Sequence, residues 1–169
     1  TAGAYTLLLQ DPIGPGIAKR SGTLVTSGGL VDLGEITLDE TPPAVGETVP
    51  AHGAIGVALG AEIRVTFTEP VNPATVTAAT VSVSGPAGPV GGELTLIDGD
   101  RVARFRLPVG ATWRDLARYT IRVSGVEDRL GKPMASTFAA TFTTIDTTPP
   151  SIVETTPLAS ASGVSISSV

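Results

Sequence analysis

The chain repeats itself, and the repeat sets the size of the unit it can fold into. Residues 39–59 return without a gap at residues 146–166, with ten of 21 positions identical. The shared positions include Asp39/Asp146, Thr41/Thr148, Pro42/Pro149, Pro43/Pro150, Glu47/Glu154, Pro50/Pro157 and Gly56/Gly163. From Thr41 to Thr148 the offset is 107 residues. One small β-sandwich has about that length, near 100 residues, and self-similarity at a fixed spacing marks an array of like units. Each copy opens on Thr-Pro-Pro. Consecutive prolines fix φ and hold the chain extended, so this step reads as a short, semi-rigid joint. The division that follows is residues 1–40 as the close of a preceding module, 41–145 as a complete domain and 146–169 as the start of a second repeat, cut short at Val169.

Inside residues 41–145 the period is two. Ile63, Val65 and Phe67 alternate with Arg64, Thr66 and Thr68; Ala103, Phe105 and Leu107 alternate with Arg104 and Arg106. Tyr119, Ile121 and Val123 alternate with Thr120 and Arg122, and Phe138, Ala140 and Phe142 with Ala139, Thr141 and Thr143. Side chains on a strand point alternately to opposite faces, so each run is a half-buried strand. Val81-Ser82-Val83 and Leu94-Thr95-Leu96 add two more. Turn formers separate the runs: Gly85 to Gly88, Gly91-Gly92, Asp98-Gly99-Asp100 and Gly131-Lys132-Pro133. With 20 glycines and 14 prolines, long helices are broken everywhere. Only Pro73 to Ala78 suits a helical turn, with Asn72 as its N-cap and Pro73 in its first position. The expected fold is all-β: tandem Ig-like antiparallel β-sandwich modules, the complete one of seven or so strands. Phe67, Phe105, Tyr119, Ile121, Phe138 and Phe142 are expected to face inward.

Composition removes several functions. The net charge is −5 and the pI about 4.7, so the basic stripe of a nucleic-acid binder is missing. Arg101, Arg104 and Arg106 read as a solvated strand face. The absence of cysteine removes disulfides, thiolate metal sites and cysteine nucleophiles together. No apolar run reaches the ~18 residues of a membrane span. Thr1 to Tyr5 carry no basic or apolar leader signal and read as the middle of a domain, hence as part of a longer polypeptide.

The motifs, taken in order, resemble a known family. Thr41-Pro42-Pro43, the run from Ile63 to Val71, Leu116 to Val123, Gly125 to Gly131 and Phe138 to Thr143 are similar to the bacterial Ig-like domains of S-layer and large surface proteins. That family carries a proline-rich opening, a V-x-F-[ST]-x-P-[VM] strand end, a tyrosine-bearing strand, a G-V-x-D-x-x-G turn and a closing F-T-T strand. The chain departs from it at Ala117-Arg118, where a small polar pair is usual. Residues 1–38 resemble the end of a carboxypeptidase-regulatory-like sandwich, through Gly3 to Leu7 and Val31 to Leu38. The resemblance implies stalks, spacers, adhesins and envelope layers outside the cell, and no chemistry of its own.

Individual residues agree with a chain that is not an enzyme. His52 is the only histidine, and it sits in a turn, Pro50 to Gly53, rather than in a triad or zinc pattern. Asp98, Asp100, Glu127 and Asp128 form the best acidic set. Paired carboxylates serve glycoside hydrolysis or calcium. Asp128-Arg129-Leu130-Gly131, however, reads first as a turn in which the carboxylate accepts local N–H groups. Asp39, Glu40 and Asp146 flank the joints, which leaves Asp39, Asp128 and Asp146 as the calcium candidates. Trp113, the sole tryptophan, reads as a half-buried anchor for the loop before Tyr119 rather than a sugar platform. Tyr119 reads as a tyrosine corner. Gly85 to Gly92 is a hairpin loop, since no Lys-Ser or Lys-Thr follows it.

The expectation is a non-catalytic structural or spacer module of a secreted or cell-surface protein. The alternative is an adhesive or carbohydrate-binding accessory of a larger surface protein or hydrolase. Neighbouring modules of the same polypeptide are the expected partners, with a surface protein or glycan as a further one. After Pro150, Val164, Ile166 and Val169 are expected to line an opening strand without its mates.

Overall fold

Alternating strands need a second layer to cover their apolar face, and residues 45–144 supply it to themselves. The structure is a computed structural model that describes residues 3–13, 16–25, 31–39, 41–156 and 158–163. Two strands come first, β1 (Gly3–Gln10) and β2 (Ile17–Leu24). Nine follow: β3 (Val45–Val49), β4 (Ala54–Val57), β5 (Ile63–Phe67), β6 (Val81–Gly85), β7 (Gly88–Pro89), β8 (Glu93–Ile97), β9 (Val102–Arg106), β10 (Arg118–Val123) and β11 (Phe138–Thr144). The nine form two sheets, β3-β5-β9-β8 and β4-β11-β10-β6-β7. Nine therefore replaces the expected seven or so. The surplus comes from the first strand, which is broken at Pro50 to Gly53 into β3 on one sheet and β4 on the other, and from the short β7. Every pairing is antiparallel except β4 with β11 at a sheet edge.

The expected register holds. Ile63, Val65, Phe67, Phe105, Tyr119, Ile121 and Phe142 are buried, and Phe138 packs half-buried against the same core. Burying such side chains contributes roughly 1.5–3 kcal/mol each. Trp113 corrects its expectation. It is 2% exposed, wholly inside rather than half-buried. Its ring lies 4.8 Å from Tyr119 and 5.6 Å from Phe142, edge-on to both. The indole N–H donates to the Ala61 carbonyl at 2.8 Å, which satisfies the one polar group such a side chain brings inside. The Tyr119 hydroxyl accepts the Arg114 N–H at 2.8 Å, the tie expected of a tyrosine corner.

The flanks differ. Among the described residues, β1 and β2 pair over eight residues as a two-stranded antiparallel hairpin. No third strand follows in 31–38; only Asp39 reaches back, in a bridge with Ile17. At the other end, the described residues 146–156 and 158–163 hold no strand. Val164, Ile166 and Val169 lie outside the described residues, as does Glu40.

Candidate functional site

Chain geometry fixes two ends of the sandwich. Register pairs Val123 with Phe138 and Arg118 with Thr143, so the loops after β10 and after β11 lie at opposite ends. The incoming linker meets the first of these ends. Ala44 N–H donates to the Thr68 hydroxyl, and Val71 bridges Asp128. The outgoing linker leaves from the other, where Asp115 accepts from Thr147 N–H at 2.8 Å and the Thr148 hydroxyl at 2.9 Å. Partial desolvation pushes the Asp115 carboxyl up, but these hydrogen bonds outweigh it and hold it below the usual range.

At the incoming end three carboxylates meet. One oxygen each from Asp39, Glu69 and Asp128 lies within 4.8 Å of the other two. Three separate segments supply them. Asp128 ends up there because it makes the expected turn: its Oδ1 accepts Leu130 N–H at 2.7 Å and Lys132 N–H at 2.8 Å. Glu69 follows β5, two residues before the bridge of Val71 to Asp128. Asp39 is held by its bridge to Ile17 and by the Lys132 ammonium, which donates to the Asp39 carbonyl at 2.9 Å. Desolvation, then the negative charges of Asp39 and Asp128, raise the Glu69 carboxyl above its ordinary value against the pull of Lys132 and Arg101.

The sequence candidates thus separate. Asp39 and Asp128 come together. Asp146 does not join them; it sits at the outgoing end, where its Oδ1 accepts Thr148 N–H. Asp100 pairs instead with Arg129 at 2.8 Å. Asp98 and Asp100 shape a turn in left-handed conformation, with φ of 54° and 68°. The Glu127 backbone receives the Asn72 N–H, which anchors the one-turn 3₁₀ helix Pro73–Thr75. His52 is exposed, and its Nδ1 accepts Thr141 N–H at 3.2 Å. Glu69 and buried Lys132 went unread in the sequence. The signal for Glu69 is its place in Phe67-Thr68-Glu69-Pro70, an acidic residue where an inward strand ends.

These elements define an Ig-like β-sandwich that the chain enters at one end and leaves at the other. The bacterial Ig-like domain profile matches residues 39–144. The chain belongs to the bacterial Ig-like domain family; residues 1–38 lie outside that match. Among solved structures the chain is similar to surface layer protein SbsC, domains 1-6, at 24% identity and a TM-score of 0.48, covering 66% of this chain and 15% of that one. It is similar to CopC from Methylosinus trichosporium OB3b at 16% identity and a TM-score of 0.50, covering 64% of this chain and 99% of that one. A third similarity is to LD transpeptidase LdtMt1 in complex with imipenem, at 22% identity and a TM-score of 0.44, covering 61% of this chain and 40% of that one. At such identities the likeness is one of fold. No curated protein matches the chain.

Proposed function

We propose that the chain is a non-catalytic spacer of a secreted or cell-surface multidomain bacterial protein. The observation that carries this reading is the placement of the linkers. A domain that takes the chain in beside Asp128 and releases it beside Asp115 lengthens whatever it is built into. The repeated Thr-Pro-Pro step supports the same reading, because a proline joint passes direction from one unit to the next. On this reading residues 1–40 close one sandwich, 41–145 form the next and 146–169 open a third. Neighbouring modules of the same polypeptide are the partners. A glycan-stacking role finds little support: Phe67, Phe105, Trp113, Tyr119 and Phe142 are all in the core.

The test is a tandem fusion of residues 39–145, two and three copies long, in small-angle scattering. A maximum dimension that grows by a fixed increment with each copy is expected. Copies that collapse into a compact particle sink the spacer reading. Glycan, ester and peptide substrates offered to the full chain should show no turnover; a turnover signal abolished by Glu127→Gln would contradict the non-catalytic half of the proposal.

A further inference from the structure

We propose that Asp39, Glu69 and Asp128 bind one calcium ion, which clamps the incoming linker to the sandwich. The cluster alone does not carry this. The second observation is the state of Asp128. It is 1% exposed, its Oδ1 is taken by two backbone N–H groups, and its Oδ2 has no hydrogen-bond partner. A buried carboxylate oxygen left without a partner is costly, and more so beside two further carboxylates. Positive charge within reach removes that cost.

The protein supplies only part of it. Lys132 spends its ammonium on the Asp39 backbone carbonyl. The ion pairs among the described residues lie elsewhere: Arg64 and Arg106 with Glu62, and Arg129 with Asp100. Arg101, the other cation acting on Glu69, gives its guanidinium to the Thr68 carbonyl at 2.9 Å rather than to a carboxylate, so the three carboxylates still outnumber the two cations near them. The donors are all oxygen, the preference of a hard ion. Calcium–oxygen bonds of about 2.3–2.6 Å allow ligands on opposite sides of the ion to sit about 4.8 Å apart. That is the limit within which the three oxygens lie. Magnesium needs a tight octahedron with bonds of about 2.0–2.1 Å. A site drawn from a linker and two loops suits the more tolerant ion.

The repeat gives the site a wider reach. Asp39 Oδ1 accepts Thr41 N–H at 2.9 Å, and Asp146 Oδ1 accepts Thr148 N–H at 2.9 Å. The same local turn therefore presents an aspartate at both joints. Asp146 stands where a linker ligand for a following copy would stand. The cradle exists whether or not the chain is a spacer, so the proposal goes beyond the function above and does not depend on it.

The full chain, stripped with chelator, is titrated with CaCl2 by calorimetry and melted with and without 10 mM CaCl2. One ion per chain is expected, with a Kd of roughly 10⁻⁵–10⁻³ M, and a melting temperature that rises by several degrees. Asp39→Asn and Glu69→Gln should each weaken binding about tenfold or more, and Asp146→Asn should leave it unchanged. Asp128→Asn risks the turn, so the first two variants carry the test, with near-ultraviolet circular dichroism of Trp113 confirming the fold. The proposal is overturned by a folded chain that shows neither heat nor stabilisation. It is equally overturned by an equal response to NaCl at matched ionic strength, by wild-type affinity in both Asp39→Asn and Glu69→Gln, or by loss of binding in Asp146→Asn.

Discussion

The β1–β2 hairpin and the sandwich are built from the same kind of strand, yet only the sandwich owns a core. β1 and β2 pair over eight residues, a longer ladder than any pairing inside the sandwich. Among the described residues before Asp39, only Gly16 and Ala18 are buried, while Leu7, Leu8 and Leu24 are exposed. In the sandwich, five-residue β5 buries Ile63, Val65 and Phe67 almost completely. Hydrogen bonds alone contribute little net stability, since water offers the same partners to the unfolded strand. Coverage by a second layer, not ladder length, separates a stable sheet from a marginal hairpin.

Hydrogen exchange should show the largest contrast. Amides of β5, β10 and β11 open only with the whole domain, which at ordinary stabilities slows exchange by about 10⁴-fold or more. The described residues after Pro150 (151–156 and 158–163), exposed and without strand, should exchange near the rate of an unfolded chain. The hairpin should fall between, close to the fast end. Hairpin amides as slow as those of β10 would break the comparison and point to a covering surface for β1 and β2. A tail as protected as the sandwich in a dilute monomer would end the reading of residues 146–169 as an orphaned repeat.

Core truncation should sharpen the same contrast. Phe142 is 1% exposed and touches Trp113 and Tyr119. Phe142→Ala should cost about 3–5 kcal/mol in urea denaturation, through lost burial and the cavity left behind. Leu8→Ala, on an exposed hairpin position, should change stability by less than about 0.5 kcal/mol. A Leu8 effect near that of Phe142 would mean that the hairpin has a buried face after all.

What the sequence revealed followed the range of each interaction. The period-two runs of Ile63 to Phe67 and Tyr119 to Val123 are local, and their inward faces were readable. The Asp128 turn was readable for the same reason, since the N–H groups that donate to its carboxylate lie two and four residues away. The depth of Trp113 was not, because it depends on Ala61, 52 positions earlier, as a hydrogen-bond partner. The carboxylate cluster was half-readable. Asp39 and Asp128 stood out beside a joint and a turn, but only the fold brings Glu69 to them and leaves Asp146 at the far end. The sequence repeat explains the exchange: Asp146 holds the position in residues 146–166 that Asp39 holds in residues 39–59, so the two aspartates fall at opposite ends of the sandwich.

The smallest contrast concerns two glycines that face an aromatic ring in each region. A Cβ added at Gly22 in β2 would meet the tip of Tyr5, its hydroxyl at 2.7 Å. Tyr5 is only half-buried, so the ring can swing aside at little cost. A Cβ at Gly92 would meet the Phe105 ring and the Arg106 carbonyl. Phe105 is packed into the core beside Trp113, and the Arg106 backbone is fixed by pairing with β8, so neither can yield without disturbing the sheet. Forcing atoms into a packed region costs typically about 1–3 kcal/mol. Gly92→Ala should therefore destabilise by that amount in thermal or urea melts. Gly22→Ala should be neutral, or stabilise slightly by restricting the unfolded chain. Equal effects at both glycines would show that β8 and β9 adjust as freely as the hairpin does, and that the packed layer does not hold its strands in place more firmly than a ladder alone.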